Sequence, residues 1–129
     1  MRKIFLMLLL VSLNGSALAE WTRVTADKDG SAVYYADAAS IQESADGLTT
    51  IWELNDLKEQ DEDGTRSSKI HVEYDCLRER FRVLSVIVYS QNMGGGKVIV
   101  NLSPADIKHQ PIPPDSAETY MWKVACGKK

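Results

Sequence analysis

The sequence predicts an α+β fold: a mainly antiparallel β-sheet with a C-terminal α-helix packed on one face and tethered there by a disulfide. Three observations carry that expectation. Segments alternating apolar and polar residues, separated by turn residues, run as far as about residue 102, and a period of two is the pattern of a half-buried strand. Past Pro104, Pro111, Pro113 and Pro114 the apolar spacing becomes helical. The two cysteines, Cys76 and Cys126, fall at the end of a predicted strand and the end of that helix.

The chain opens with Met1-Arg2-Lys3, an apolar run from Ile4 to Val11 continuing to Leu13, and the small-residue triplet Ala17-Leu18-Ala19. A basic start, a short apolar stretch and an A-x-A site together predict a secretory signal peptide over residues 1–19, cleaved between Ala19 and Glu20. The apolar run is shorter than the roughly 20 residues a membrane-spanning helix needs. Cleavage leaves 110 residues, a length suited to one domain with one core, and moves the formal charge from -3 to -5. No cysteine lies near the cleavage point, so no attachment atom for an acyl chain is expected and no stable membrane anchor after cleavage. A mildly acidic chain without a concentrated basic block is a poor partner for nucleic acid.

Along residues 20–129, Asp27-Lys28-Asp29-Gly30 signals a turn, and Ala32-Val33-Tyr34-Tyr35 after it reads as a strand. Asp37 to Ile41 is expected to be a connector holding one helical turn. Gly47 opens a second strand, Leu48 to Leu54, and the acidic stretch Asp56 to Gly64 joins it to the next as a solvated hairpin loop. Lys69 to Cys76 alternates most clearly. Ile70, Val72, Tyr74 and Cys76 share its buried face, and Lys69, His71, Glu73 and Asp75 form a row expected to face solvent. Phe81 to Tyr89 is apolar on both faces over its second half, which predicts a central strand covered on both sides or packed against another element. Asn92 to Gly96 makes a turn and Lys97 to Leu102 a further strand. After an extended proline-rich stretch, Asp115 or Ser116 with Glu118 suggests a capping box, and Ala117, Tyr120, Met121 and Val124 recur at helical spacing.

Export into an oxidising compartment lets Cys76 and Cys126 pair. The bridge is read as structural, since neither cysteine sits in a C-x-x-C redox motif. It closes a loop of about 50 residues, worth about 4 kcal/mol on the chain-entropy account.

Chemistry-bearing motifs are scarce. The acidic loop lacks the regular spacing of a calcium loop, and His71 and His109 stand far apart without a second ligand at metal spacing. His71, Glu73 and Asp75 share a strand face and are the one arrangement from which a weak metal or acid/base cluster could be built. No G-x-S-x-G, Walker or H-E-x-x-H pattern occurs. The reading is therefore noncatalytic, with no cofactor and no metal. Arg78, Arg80 and Arg82 form a local basic cluster and are the candidate protein-binding residues, because exposed arginine makes bidentate contacts and is enriched at binding hot spots. Trp21, Trp52, Trp122, Tyr34 and Tyr35 are expected mostly in the core.

The order of features resembles the bacterial surface-adhesin protein E family. The residues that carry the resemblance are Trp21, Tyr34-Tyr35 with Asp37, Ile51-Trp52 before an acidic loop, Ser68-Lys69, Glu73-Tyr74-Asp75-Cys76, Tyr89 and Trp122-Lys123-Val124-Ala125-Cys126. They span nearly all of the chain after the signal peptide. The resemblance implies an antiparallel sheet with a disulfide-held C-terminal helix, and a binding module for host extracellular or serum proteins at the cell surface. The alternative expectation is a periplasmic structural or accessory domain binding an envelope component. Edge strands of a small open sheet can pair between copies, which adds a homodimer to the expectations.

Overall fold

The computed structural model describes residues 20–128; the expected signal peptide lies outside them. Seven strands and one helix follow in chain order: β1 (Thr22–Ala26), β2 (Ala32–Glu43), β3 (Leu48–Leu57), β4 (Ser67–Asp75), β5 (Arg80–Tyr89), β6 (Val98–Leu102), β7 (Gln110–Pro111) and α1 (Ala117–Ala125). The first six strands form an antiparallel meander in sequence order, and β7 pairs with the start of β5. Each connection from β1 to β6 joins neighbours, so each of those hairpins can form without a long crossover.

The helix and the strand alternation together create the core. Ala36, Ile51, Val72 and Tyr74 point to one face of the sheet and meet Met121 and Ala125 of α1. Cys76, just past β4, is bonded to Cys126 at the helix end, with Cα atoms 5.6 Å apart. The expected tether is therefore present and holds the last turn of α1 over the sheet. Gly127 ends the helix at φ +64° with its N–H directed to the Val124 carbonyl, a left-handed cap that favours glycine.

Several local expectations need correction. Asp37 to Ile41 is strand, not a connector with a helical turn, because β2 runs through to Glu43. Its register against β3 shifts between Asp37 and Gln42, and the Ser40 hydroxyl fills the gap by accepting the Trp52 N–H at 2.8 Å while donating to the Asp37 carbonyl at 2.6 Å. A side chain thus replaces the missing ladder bond, which pattern alone does not reveal. β1 is a strand that the sequence pattern did not show, and the proline-rich stretch contributes the two-residue β7. The capping box does not form. Ser116 occupies the N-cap, but its hydroxyl donates to the Pro113 carbonyl at 2.6 Å instead of accepting from the helix, and Asp115 sits at φ +56°.

β5 is interior in the sheet yet only half-buried at every position. The nine-residue α1 packs mainly over β1, β2 and β3, and leaves β5 to meet the core through Phe81. Beyond β5, β6 is an edge strand with Val98, Ile99 and Leu102 exposed.

Candidate functional site

The sheet face opposite α1 carries His71, Glu73 and Asp75 together with Trp52 and the candidate arginines of β5. Cross-strand register puts Asp37, Trp52, His71 and Ser85 in one row, and Lys69 beside Ile87 in the next. Part of this helix-free face is roofed by the β5–β6 connection. There Met93 N–H and the Asn92 amide both donate to Asp56 Oδ1, at 2.9 and 3.0 Å, and Gly94 N–H donates to the Ser67 hydroxyl at 2.9 Å. Leu54, fully buried on this same face, is the apolar residue at that end of β3.

Beside the roofed part lies an open pocket of about 250 Å³ lined by Trp21, Asp37, Trp52, Lys69, Ile87 and Tyr89. Lys69 Nζ sits 6.0 Å from the Trp21 ring centroid and 5.3 Å from that of Tyr89, within cation–π range of both. Trp52 stacks on His71 with centroids 4.6 Å apart and planes 8° from parallel. Burial pushes the His71 pKa below its ordinary value, against an opposing pull from Glu73, so the imidazole is neutral at pH 7 and stacks as an uncharged ring. Trp21 and Trp52 thus line an open pocket, whereas Tyr34 and Trp122 pack against the core as expected.

Further along β4 the row becomes a charged band, and here the expectation of a solvent-facing row fails. Glu73 is 9 % exposed and Asp75 1 %. Each is buried because donors converge on it. Asp75 accepts from the backbone N–H groups of Leu77 and Arg78, both at 3.1 Å, and from the guanidiniums of Arg78 at 3.2 Å and Arg80 at 3.3 Å. Burial alone would raise its pKa, but the Arg78 backbone and side chain, then Arg80 and Leu77, outweigh it and hold the carboxyl below its ordinary range. Glu73 Oε1 is met at 2.9 Å by both Arg82 Nε and His109 Nε2. His109 comes from the proline-rich stretch, 36 residues away, and only the β5–β7 pairing brings it to β4, so no local spacing announced it.

The three candidate arginines are therefore gathered into one rim. Their side chains remain 62 %, 41 % and 36 % exposed at Arg78, Arg80 and Arg82, each held in place by a carboxylate beneath. His71, Glu73 and Asp75 do not converge on a common point: one stacks on Trp52, one binds Arg82 and His109, one binds the β4–β5 turn. No group of three metal-ligating side chains occurs among the described residues. The acidic loop turns on its own Asp61, whose Oδ1 accepts from Asp63 and Thr65 N–H groups at 3.0 and 2.9 Å.

Under the helix a different group is buried. Glu53 is 6 % exposed beside a cavity of about 60 Å³, and Tyr74 hydroxyl is its hydrogen-bond partner. Desolvation pushes its pKa up to about 8, opposed by Tyr74 and helped by Glu118. The carboxyl is accordingly protonated at neutral pH. The cavity holds no more than a few waters and is part of the core rather than a ligand site.

The sequence model of the family described as surface-adhesin protein E matches residues 21–127. No curated protein matches the sequence. Among solved structures, crystal form II of Haemophilus influenzae protein E superposes with a TM-score of 0.58 at 16% identity, covering 81% of this chain and 87% of that one. The selenomethionine form of the same Haemophilus influenzae protein gives 0.60 at 15% identity, covering 85% and 88%. At these identities the likeness is one of fold.

Proposed function

The chain belongs to the surface-adhesin protein E family, and on that premise we propose that residues 20–129 act as one exported, noncatalytic binding module that takes a protein partner on the helix-free face of its sheet. The single observation that carries this reading is the arginine rim. Three guanidiniums stand partly exposed on one hairpin, each pre-positioned by a buried carboxylate. Holding a flexible cationic side chain in place before contact lowers the ordering cost of binding, and arginine's planar fork retains free N–H donors after one carboxylate contact. The same face carries the half-buried aromatic rings of Trp21, Trp52 and Tyr89, the residue types that anchor protein interfaces.

The partner class follows from charge. A rim of arginines on an otherwise acidic chain favours a protein surface that presents carboxylates, either a host matrix or serum protein or a component of the bacterial envelope. No helix among the described residues is long and apolar enough to cross a membrane.

Two measurements test the reading. Protease or antibody access on intact cells, with an outer-membrane-permeabilised control, distinguishes the surface adhesin from the periplasmic accessory domain: labelling of intact cells supports host contact, and labelling only after permeabilisation sinks it. Binding of an identified partner should then fall when Arg78, Arg80 and Arg82 are replaced together by Gln and should weaken with salt. Undiminished binding by that triple variant would remove the rim from the interface.

A further inference from the structure

The pocket beside the arginine rim carries chemistry of its own. Its walls are aromatic, Trp21, Trp52 and Tyr89, with Ile87 as the aliphatic member and two ionisable side chains, Lys69 and Asp37. All six are half-buried, so their surfaces are reachable without any opening of the sheet. At about 250 Å³ the space is smaller than the usual range for drug-sized ligands, and fits one ring.

What such a ring must offer can be read from the groups around it. Lys69 already supplies the cation between the Trp21 and Tyr89 faces, so the pocket is not an empty aromatic cage awaiting an ammonium ligand. Its ammonium has no carboxylate within 4 Å among the described residues and keeps N–H donors to give. The side-chain stem is held in place, since a Cβ added at Gly94 would lie 2.8 Å from Lys69 Cε. Asp37 spends Oδ1 on the Ala39 N–H at 3.1 Å, which leaves Oδ2 as an acceptor. A carboxylate or phosphate ligand would gain Lys69 but would stand against Asp37 and against the protein's net charge of -3. A neutral ligand whose hydroxyls both donate and accept satisfies Lys69 and Asp37 together without placing a second charge in the pocket. A ring that also presents a flat C–H surface can lie on the electron-rich faces of the tryptophans.

We propose that this pocket binds the terminal sugar ring of a neutral glycan, with Trp21 and Trp52 as stacking platforms, Lys69 as donor and Asp37 as acceptor. The inference deepens the reading of the helix-free face as a contact surface and rests on it: the arginine rim would engage the partner's protein surface and the pocket a sugar carried by that partner. The two parts fail separately, because the rim variant tests one and pocket variants test the other.

The experiment is an NMR titration of the purified exported protein with neutral methyl glycosides of several hexoses and N-acetylhexosamines, followed on the indole N–H signals. Trp122, which packs against the core on the opposite face, is the internal control. At least one glycoside is expected to shift the Trp21 and Trp52 signals saturably while Trp122 stays still. The variants Trp21→Ala, Lys69→Met and Asp37→Asn should each weaken that binding about tenfold or more with the circular dichroism spectrum and Tm unchanged; Lys69→Met keeps the stem and removes only the charge. Absence of any shift with every glycoside overturns the proposal, as do shifts produced only by choline, a nucleoside or a sialic acid titrated in parallel. Shifts that survive all three substitutions overturn it equally, since the sugar would then sit elsewhere.

Discussion

Under α1 the sheet buries Glu53 with one hydroxyl partner, whereas the opposite face buries Glu73 and Asp75 with arginine, histidine and backbone donors around them. The same kind of group meets opposite fates within one sheet. Where donors are few, desolvation wins and the carboxyl keeps its proton, with a pKa of about 8; where guanidiniums and N–H groups converge, Asp75 stays ionised below its ordinary value. Burial alone therefore does not decide charge: the number and sign of the groups brought to each carboxyl do. The helix-covered face is in consequence a neutral core, and the helix-free face a pre-ordered charged surface.

The largest expected effect concerns how the covered face stays covered. Replacing Cys76 and Cys126 together by Ala, or reducing the bridge, should cost about 4 kcal/mol in urea unfolding, and chemical shifts around Met121 and Ala125 should move while those around Arg82 and His109 change little. Equal disturbance of both faces would mean that the helix and the arginine rim are not independent.

Next in size is the pH dependence set by Glu53. Its folded pKa is raised, so its contribution is fully present below the unfolded value of about 4.5 and is lost as pH rises toward about 8, because the unfolded chain ionises first. Across that window stability should fall by a few kcal/mol. Glu53→Gln should flatten the slope without disturbing the helix-free face; an unchanged slope would show the carboxyl to be ionised beneath the helix after all.

Asp75 supplies the opposite sign. Its lowered pKa means stability that is present above about pH 4 and lost as pH falls through the folded value. Asp75→Asn should remove that acid-side loss and cost about 1–3 kcal/mol near neutrality, by weakening the contacts to Arg78, Arg80 and the turn. Urea midpoints at pH 3 and pH 7 measure both effects.

The smallest effect is expected at the rim itself. Arg78→Ala, at a side chain 62 % exposed, should shift stability by less than about 1 kcal/mol, so any larger loss in partner binding by this variant belongs to the interface and not to the fold.

Local chemistry made much of this arrangement readable in advance. The alternation of Ile70, Val72 and Tyr74, the helical spacing of Ala117, Tyr120, Met121 and Val124, and the placement of Cys76 and Cys126 at element ends each depend on neighbours a few residues apart. The face bearing His71, Glu73 and Asp75 was legible for the same reason, and so was the clustering of Arg78, Arg80 and Arg82. Their burial and their partners were not. Whether Glu73 faces water depends on His109, delivered by β7; whether Trp52 lies in the core depends on which face of the sheet α1 covers and on Trp21, a residue preceding β1. The strand through Asp37 to Ile41 depends on one hydroxyl reaching the Trp52 N–H. Sequence by itself determined the periodicities, the placing of each cysteine at an element end and the clustering of the arginines, since those are properties of short segments. Only the tertiary structure decided which carboxyls keep a proton and which rings stay open to a ligand, because desolvation and donor number are set by groups that lie far apart along the chain.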